Sequence, residues 1–442
     1  GTAPGEGNIL SAGNSGVRID GPAENNVVIG NTLTGSFYGV EIRTPTCCPG
    51  NVATMNRVGG PTPAERNVIA GAGKYGEEGF PTGGQITVQY SPGNIIEGNY
   101  IGVLADGVTV APSQRGPVGV ELRSAPLSIV RNNVIGGIAV NGVNHAAGQR
   151  FGIGLNLMGD CGGSIIQGNS IGLAADGATP IPSRSGVAAT YWSVNGQPVN
   201  AGPVRFGGGE PGQGNTVANS EATGVYVTYR IQGLTLSGNA IFDNGALGID
   251  LLSSSGSAGV TPNDPFDGDA GGNGLQNFPV LSAATTDGAA QTTVAGSLHS
   301  VPNESYRVEF FAGATADPSG NGEGERYLGA VDVTTDSAGD AAFQASLNAS
   351  TPQGWSATAT ATRVSTGDTS EFSAALPIAG SQGACPGDAN GDNTVNFADL
   401  NMVLSNFGLS GAPGAMPGDV TNDGVVNFND LNVILSNFGL VC

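Results

Sequence analysis

Three short motifs recur in a fixed order through roughly the first 250 residues, and this repetition restricts the fold more than any other feature of the chain. The clearest motif is a Gly followed by alternating apolar and polar residues, whose period of two predicts a half-buried strand. It occurs as GVRID at Gly16, GVEIR at Gly39, GVELR at Gly119, GIGLN at Gly152, GVYVT at Gly224 and GIDLL at Gly248. Three of the intervals, from Gly16 to Gly39, from Gly119 to Gly152 and from Gly224 to Gly248, are 23, 33 and 24 residues, and this spacing sets the length of one coil.

Two further motifs accompany this strand. One places Pro three positions and Asn seven positions after a Gly, at Gly1, Gly60 and Gly208. The other reads NIIEGNYIG at Asn94, with related stretches at Ser164 and Leu234. One strand of each type per coil, stacked on the next coil, predicts a parallel β-solenoid with structural Pro and Asn in its turns.

The motifs of residues 1–252 resemble the repeats of right-handed parallel β-helix proteins. The resemblance implies a rod of about eight coils, near ~40 Å long at ~4.8 Å per coil. The chain opens on GTAPGEGNIL without Met, so we expect a processed or truncated chain. The match of Gly1 to Gly60 predicts a start partway through a coil. Either upstream coils were removed or another chain covers the exposed strand edges.

Composition supports an ordered, turn-rich β protein. The 442 residues include 75 Gly, 39% are hydrophobic, and no Gly-X-Y period is present. The formal net charge of −21 argues against nucleic acid as a partner, and it indicates either solubility or cation binding. No apolar run approaches the ~20 residues that a membrane helix needs, so we expect no membrane span.

Five cysteines indicate an oxidising, extracellular compartment. Cys385 and Cys442 bracket the C-terminal segment and are predicted to form a disulfide that closes it. Cys47 or Cys48 could pair with Cys161, or Cys47 and Cys48 could bond to each other. One cysteine is left without a partner in the chain.

The outward positions of the aligned strands are candidates for chemistry on the solenoid. They are Arg18, Asp20, Glu41, Arg43, Thr87, Gln89, Glu121, Arg123 and Asp250. Glu41 and Glu121 lie two coils apart, roughly 10 Å, at the outer edge of the ~6.5–9.5 Å of an inverting acid–base pair. An Arg beside each Glu favours ion pairs on a solvated sheet instead, so we predict no catalytic residues here.

Other groups give little sign of catalysis. His145 and His299 stand in different segments, without a recognisable hydrolase or metal motif. Four aromatic residues could bind a polysaccharide by stacking, or could simply pack within strands. They are Tyr191, Trp192, Tyr226 and Tyr229.

The pattern changes after the solenoid. Residues 253–279 form an Asp- and Gly-rich joint, in which Asp264, Asp267 and Asp269 either belong to an exposed capping loop or bind a further Ca²⁺. Residues 280–378 contain six or seven short alternating strands, which predict an immunoglobulin-like β-sandwich acting as a spacer or adhesive module. A linker, residues 379–386, follows.

Residues 387–442 contain two copies of one loop, offset by 31 residues. Oxygen-bearing residues fall at loop positions 1, 3, 5, 9 and 12, with a backbone carbonyl at position 7, a spacing that wraps ligands around Ca²⁺. The first set is Asp388, Asn390, Asp392, Thr394, Asn396 and Asp399. The second set is Asp419, Thr421, Asp423, Val425, Asn427 and Asp430. Position 6 requires a left-handed turn, which Gly424 suits and Asn393 tolerates.

An amphipathic helix is predicted after each loop, with one apolar face that the two helices bury against each other. The predicted faces are Leu400, Val403, Leu404 and Phe407 in the first copy and Leu431, Ile434, Leu435 and Phe438 in the second. Gly408 and Gly439 are predicted to end the helices.

The duplicated loop–helix unit resembles the dockerin module of cellulosome-type assemblies. The resemblance implies two bound Ca²⁺ ions and a protein partner, typically a cohesin. Loop positions 10 and 11, where the family often has Ser or Thr, are here Phe397–Ala398 and Phe428–Asn429. Phe397 and Phe428 are therefore the predicted partner-binding residues, and a standard cohesin is in doubt. Thr421 at position 3 predicts a weaker second site. A calcium-stiffened end cap without any partner is the alternative.

Two functional hypotheses follow. The first is a secreted, non-catalytic protein of the cell surface or extracellular matrix that assembles through the calcium-folded module, with a cohesin-like partner or with copies of itself, into filaments. The second is a polysaccharide lyase or glycosidase that acts on the outer face of the solenoid and is tethered by the same module.

Overall fold

The structure is a computed structural model, and it describes residues 6–11, 13–45, 50–72, 74–75, 81–112, 117–138, 152–194, 197–199, 202–288, 290–352, 354–380, 385–411 and 416–441. The chain divides into two compact units. The first comprises Gly1–Ser282, Ala295–Ala345 and Ser356–Leu376, and the second comprises Ala283–Val294, Ser346–Trp355 and Pro377–Cys442.

Three stacked parallel sheets form most of the first unit, as in a parallel β-helix. The first sheet contains Ile9–Ser11, Thr32–Thr34, Val68–Ala70, Tyr100–Ile101, Val134–Ile135, Ser170–Ile171, Thr216–Ala218 and Ala240–Phe242. The second contains Ser15–Asp20, Tyr38–Arg43, Ile86–Gln89, Val118–Arg123, Ile153–Met158, Ser185–Thr190, Val225–Val227 and Ile249–Leu251. The third contains Val27–Val28, Arg57–Gly59, Ile95–Glu97, Ile129–Arg131, Ile165–Gln167, Val204–Gly207 and Leu234–Ser237. The predicted stacking of parallel strands is confirmed, and the right hand of the coil stays a prediction.

The Gly of the G-V-x-I motif is required by the close approach of successive coils. The strand register aligns Gly119 with Gly154, so the fourth copy of the motif begins at Gly154 and its predicted start at Gly152 is wrong. A Cβ on Gly119 would lie 2.5 Å from the carbonyl oxygen of Gly154, and a Cβ on Gly154 would lie 2.7 Å from that of Gly186. Contacts below 3.0 Å cannot be accommodated without moving the backbone. The same crowding occurs at Gly16, Gly39, Gly186 and Gly224.

A ladder of asparagines, all buried except the exposed Asn8, runs through the turns that lead into the first sheet. Its members are Asn8, Asn31, Asn67, Asn99, Asn133, Asn169, Asn215 and Asn239. The Oδ1 of Asn133, for example, accepts the backbone N–H of Asn99 at 2.9 Å and its side-chain amide at 3.0 Å. Each rung thus satisfies buried backbone groups where no strand can do so, which confirms the predicted structural role of these asparagines.

Two four-stranded sheets follow the β-helix. One contains Val280–Thr286, Thr292–His299, Asp340–Leu347 and Ala379–Gly380, and the other contains Ser305–Gly313, Arg326–Thr334, Ser356–Arg363 and Leu376–Pro377. Strands of the second sheet pair antiparallel, as at Glu309, which lies between Ala330 and Thr360. The predicted run of short strands is confirmed, whereas the immunoglobulin-like topology stays a prediction.

The remaining elements are short. Two hairpins consist of Lys74–Tyr75 with Pro81–Thr82 and of Trp192–Val194 with Gln197–Val199. Single 3₁₀ turns span Pro63–Glu65, Pro265–Asp267 and Gly272–Leu275, and two α-helices span Phe397–Ser405 and Phe428–Ser436. No helix in the described part of the chain has the length and apolar character needed to span a bilayer.

Candidate metal centre and a buried acidic face

Each C-terminal helix begins at a loop residue that the calcium spacing also uses. The Oδ1 of Asn396 accepts the backbone N–H of Ala398 at 2.7 Å, and Asp399 accepts the backbone N–H of Asn396 at 2.8 Å. This reciprocal capping box starts the first helix, and Asn427 with Asp430 repeats it in the second. The predicted helices are therefore confirmed, and position 9 of each loop is a helix cap.

Three carboxylates of the first loop converge. One oxygen from each of Asp388, Asp392 and Asp399 lies within 4.8 Å of the others. Backbone N–H groups orient them: Asp388 accepts from Gly391 at 2.8 Å, and Asp399 accepts from Ala389 at 2.8 Å. Three ionised carboxylates this close repel one another, and a hard divalent cation would neutralise them.

The second loop has the same local geometry with one chemical difference. Asp419 accepts the backbone N–H of Gly424 at 2.9 Å, and Asp430 accepts that of Asn427 at 2.8 Å. The hydroxyl of Thr421 donates to Asp430 at 2.9 Å and so occupies an oxygen that a cation would use. Within the described residues, the carboxylates of this loop do not form a second group as close as the first.

The remaining loop positions form hydrogen bonds within their own loops. The Oδ1 of Asn390 accepts the backbone N–H of Asp392 at 2.8 Å, within the first loop. Thr394 and Val425 each place a carbonyl oxygen near the capping Asn amide, at 3.3 and 3.1 Å. Position 6 is left-handed as predicted, with φ of 62° at Asn393 and 83° at Gly424. The twelve residues stay predicted calcium ligands.

The module buries less of its helices than the sequence predicts. Val403 and Ile434 are fully buried, together with Val395 and Val426 from the loops. Other members of the predicted apolar faces are 40–55% exposed: Leu404, Phe407, Leu435 and Phe438. The predicted apolar faces are therefore buried only in part, and Phe407 and Phe438 lie beyond the ends of the two nine-residue helices.

The predicted partner-binding residues are exposed. Phe397 is 69% and Phe428 is 68% exposed. Each ring contacts a Phe of the other copy, since Phe397 meets Phe438 and Phe428 meets Phe407, both at 5.0 Å between centroids. The module therefore carries two equivalent aromatic pairs on its surface.

The cysteine predictions have different outcomes. Cys385 packs against the core of the C-terminal module, while Cys442 lies outside the described residues, so their disulfide stays a prediction. Cys161 is a free and fully buried thiol whose pKa burial raises to about 12. The alternative in which Cys161 pairs with Cys47 or Cys48 is therefore wrong, and those two residues lie outside the described part.

The joint uses its aspartates for backbone contacts. Both carboxylate oxygens of Asp264 accept the N–H of Gly268, and Asp267 accepts that of Asn277 at 2.7 Å. Burial raises the pKa of Asp267 to about 6. The carboxylates of these two residues and of Asp269 do not lie as close together as the three carboxylates of the first C-terminal loop. Calcium binding here stays a prediction.

The outer face of the second sheet differs from its prediction. Glu41, Thr87 and Glu121 lie on adjacent strands in register, and they are 2%, 0% and 4% exposed. The predicted ion pairs are present, with Arg123 at 2.7 Å from Glu121 and Arg43 at 3.8 Å from Glu41. The prediction of a solvated face is confirmed at Arg18 and Asp20, which are exposed, and it is wrong at Glu41, Thr87 and Glu121. A period of two shows that side chains alternate but not whether something covers the outer set.

Two details of this face were not visible in the sequence. The hydroxyl of Thr87, between the two glutamates, is buried and has no hydrogen-bond partner in the described part of the chain. Tyr38 lies near both, and burial together with the charges of Glu41 and Glu121 raises its pKa. Neither residue belongs to a recognisable motif.

The other predicted sites are not brought together. Tyr226 is 4% exposed, so an exposed aromatic strip that includes it is wrong, although Tyr191 is 49% exposed. His299 makes a 2.8 Å contact with Asp340 and accepts the backbone N–H of Phe266 at 3.3 Å, which leaves neither ring nitrogen for catalysis. His145 and the side chain of Trp192 lie outside the described residues.

Comparisons with known proteins identify no family for this chain. No family model matches the sequence, and no curated protein matches it. One solved structure that it matches is the tailspike protein gp49 of Acinetobacter baumannii bacteriophage Fri1, a capsular polysaccharide depolymerase. Identity is 11%, the TM-score is 0.17, and the match covers 77% of this chain and 63% of that one. The chain thus spans less than two thirds of that protein, and a likeness at this level decides neither fold nor function.

Proposed function

We propose that this protein is a secreted, non-catalytic structural protein that attaches to a partner through a calcium-folded C-terminal module. The observation that carries the proposal is the convergence of Asp388, Asp392 and Asp399 within 4.8 Å in a loop whose backbone already orients them. Such a cage favours Ca²⁺, which takes six to eight oxygen ligands at ~2.3–2.6 Å.

The attachment surface is the pair of aromatic clusters on the same module. Large exposed apolar side chains on a small module mark an interaction site. Because cation binding would fix the loops from which Phe397 and Phe428 project, partner binding depends on calcium. The partner is a cohesin-like protein or a second copy of the chain, which would make filaments.

Calorimetric titration of the full chain with Ca²⁺ tests the metal. We expect uptake at two sites, with the first lost in Asp392→Asn and retained in Glu24→Gln, which changes an exposed carboxylate of the β-helix. Absence of heat, or equal binding by Asp392→Asn and the parent chain, would refute the calcium site.

A second function is favoured by one observation. The buried hydroxyl of Thr87, between two buried glutamates, has no hydrogen-bond partner among the described residues. A saccharide hydroxyl could supply the missing partner, with Glu41 and Glu121 as acid and base. Shorter products from acidic or neutral polysaccharides, abolished by Glu41→Gln or Glu121→Gln, would replace the first proposal. Unchanged polysaccharide would leave the structural function standing.

A further inference from the structure

The end of the β-helix leaves strand edges that need partners. Leu234–Ser237, Ala240–Phe242 and Ile249–Leu251 are terminal strands of their three sheets. No further coil pairs with them in the described chain, so their outer backbone groups require other partners.

Carboxylates from the strands and loops that follow supply these partners, one near each sheet. Glu309 accepts the backbone N–H of Gly238 at 2.8 Å, at the end of the third sheet. Glu323 accepts the backbone N–H of Asn244 at 3.2 Å and its side-chain amide at 2.9 Å, beside the first sheet.

The second sheet is closed in the same way. One oxygen of Glu371 accepts the backbone N–H of Leu251, and the other accepts that of Thr261, both at 2.9 Å. Asp368 adds a bond from the N–H of Gly233 at 2.6 Å. All these residues belong to the first compact unit, so Glu309, Glu323, Asp368 and Glu371 form an end cap, here called the carboxylate cap.

Apolar residues complete the carboxylate cap. Phe311 and Phe372 belong to the same buried cluster as the interior of the β-helix, and their rings meet edge to face at 5.4 Å. Gly248 allows the approach, because a Cβ there would lie 3.1 Å from Phe372. The glutamates therefore sit around an apolar plug and are shielded from water.

The charges around the three glutamates differ. Glu309 is paired with Arg307 at 3.0 Å. Among the described residues, Glu323 and Glu371 have no ion-pair partner. The charged groups near Glu323 are the carboxylates of Asp243 and Asp317, and the one near Glu371 is that of Asp250. Ionising either cap glutamate therefore places a buried negative charge beside further carboxylates.

We propose that the carboxylate cap is a proton-linked seal. Protonated Glu323 and Glu371 hold the cap on the last coil, and their ionisation loosens it and frees the strand edges. The N–H groups that donate to these two carboxylates favour ionisation, but burial outweighs them, so the pKa of Glu323 is raised to about 7 and that of Glu371 to about 8.

The direction of the pH dependence follows from proton linkage. Because both groups have a higher pKa in the closed cap than in water, the closed form binds more protons, and sealing is strongest at low pH. Opening increases as pH rises from about 4.5, by up to roughly tenfold per group and pH unit. It levels off above about pH 8, where both glutamates are ionised.

Hydrogen exchange of the full chain, followed by mass spectrometry from pH 5 to 9 and corrected for intrinsic exchange, measures this opening in the peptide spanning residues 240–252. We expect protection to fall with pH in the parent chain and to become independent of pH in Glu323→Gln/Glu371→Gln, which mimics the protonated pair. Glu24→Gln is the control, since it changes an exposed carboxylate that is not part of the carboxylate cap, and it should keep the pH dependence.

Constant protection of the parent chain across this range would overturn the proposal, and so would a double variant that retains the pH dependence. If the double variant does not fold, the parent profile and the single variant Glu371→Gln decide the matter, because the single change should remove the response between pH 7 and 8.

Discussion

At the scale of single residues, small chemical differences distinguish two loops with the same backbone. The position-12 carboxylate accepts backbone N–H groups in both copies, but only in the second does a side chain, Thr421, donate to it as well. The spacing of the acidic residues predicted which carboxylates converge in the first loop. It did not reveal that Asn396 caps a helix, because capping and metal binding favour the same residue types.

The substitution Thr421→Asn should strengthen the second calcium site. It frees one oxygen of Asp430 from a hydrogen bond and supplies an amide oxygen, as Asn390 does in the first loop. We expect affinity to rise about fivefold, or ~1 kcal/mol, in calorimetric titrations. Thr315→Asn, at an exposed position in the loop that follows the strand Ser305–Gly313, is the control, and an unchanged or weaker second site would contradict the prediction.

The thiol of Cys161 should be inert in the native protein. With its pKa raised to about 12, only about one thiol in ten thousand is ionised at pH 8, and the side chain is fully buried. Iodoacetamide labelling with peptide mapping should show at least ~100-fold slower modification of Cys161 in buffer than in denaturant. Labelling at equal rates in the two conditions would show that the site opens freely.

At the scale of elements, the recurring motif is explained by close packing between coils. The sequence predicted strands of period two and their stacking, because the inner residues repeat in register. The burial of the outer residues could not be predicted, since alternation is the same whether or not a strand is covered. The Glu residues of the carboxylate cap were missed for a related reason: Glu309 stands in the apolar strand SYRVEFFAG, with no motif to mark it.

Substituting Gly154→Ala should therefore destabilise the β-helix strongly. The added methyl would lie 2.7 Å from the carbonyl oxygen of Gly186, so the coils must separate locally. We expect a loss of ~2–4 kcal/mol in the free energy of unfolding, measured by denaturant titration. Gly50→Ala is the matched control, because no atom lies within 4 Å of its added methyl, and similar losses in both variants would count against coil packing.

At the scale of the whole molecule, a β-helix with a closed end and a module with an exposed aromatic surface fit attachment better than turnover. The division into two compact units, with most strands of the two four-stranded sheets in the first, was not predicted from composition.

Calcium should control association of the full chain. Sedimentation velocity in excess Ca²⁺ should show larger species, alone or with the partner, and excess EGTA should abolish them. Phe397→Ser/Phe428→Ser should also abolish them without changing calcium uptake, whereas Val364→Ser, another exposed apolar residue, should have no effect. Association that persists in EGTA would refute calcium control.

The asparagine ladder has a consequence for how this molecule can vary. Each rung is a hydrogen bond from one Asn to the Asn of the next coil. If one coil is removed, the neighbouring asparagines again meet an Asn. Among the described coils, the carboxylate cap forms its hydrogen bonds with the last one. β-Helices of different lengths can therefore have the same two ends. Their length changes by duplication or loss of whole coils, and the residues at the ends are unaffected.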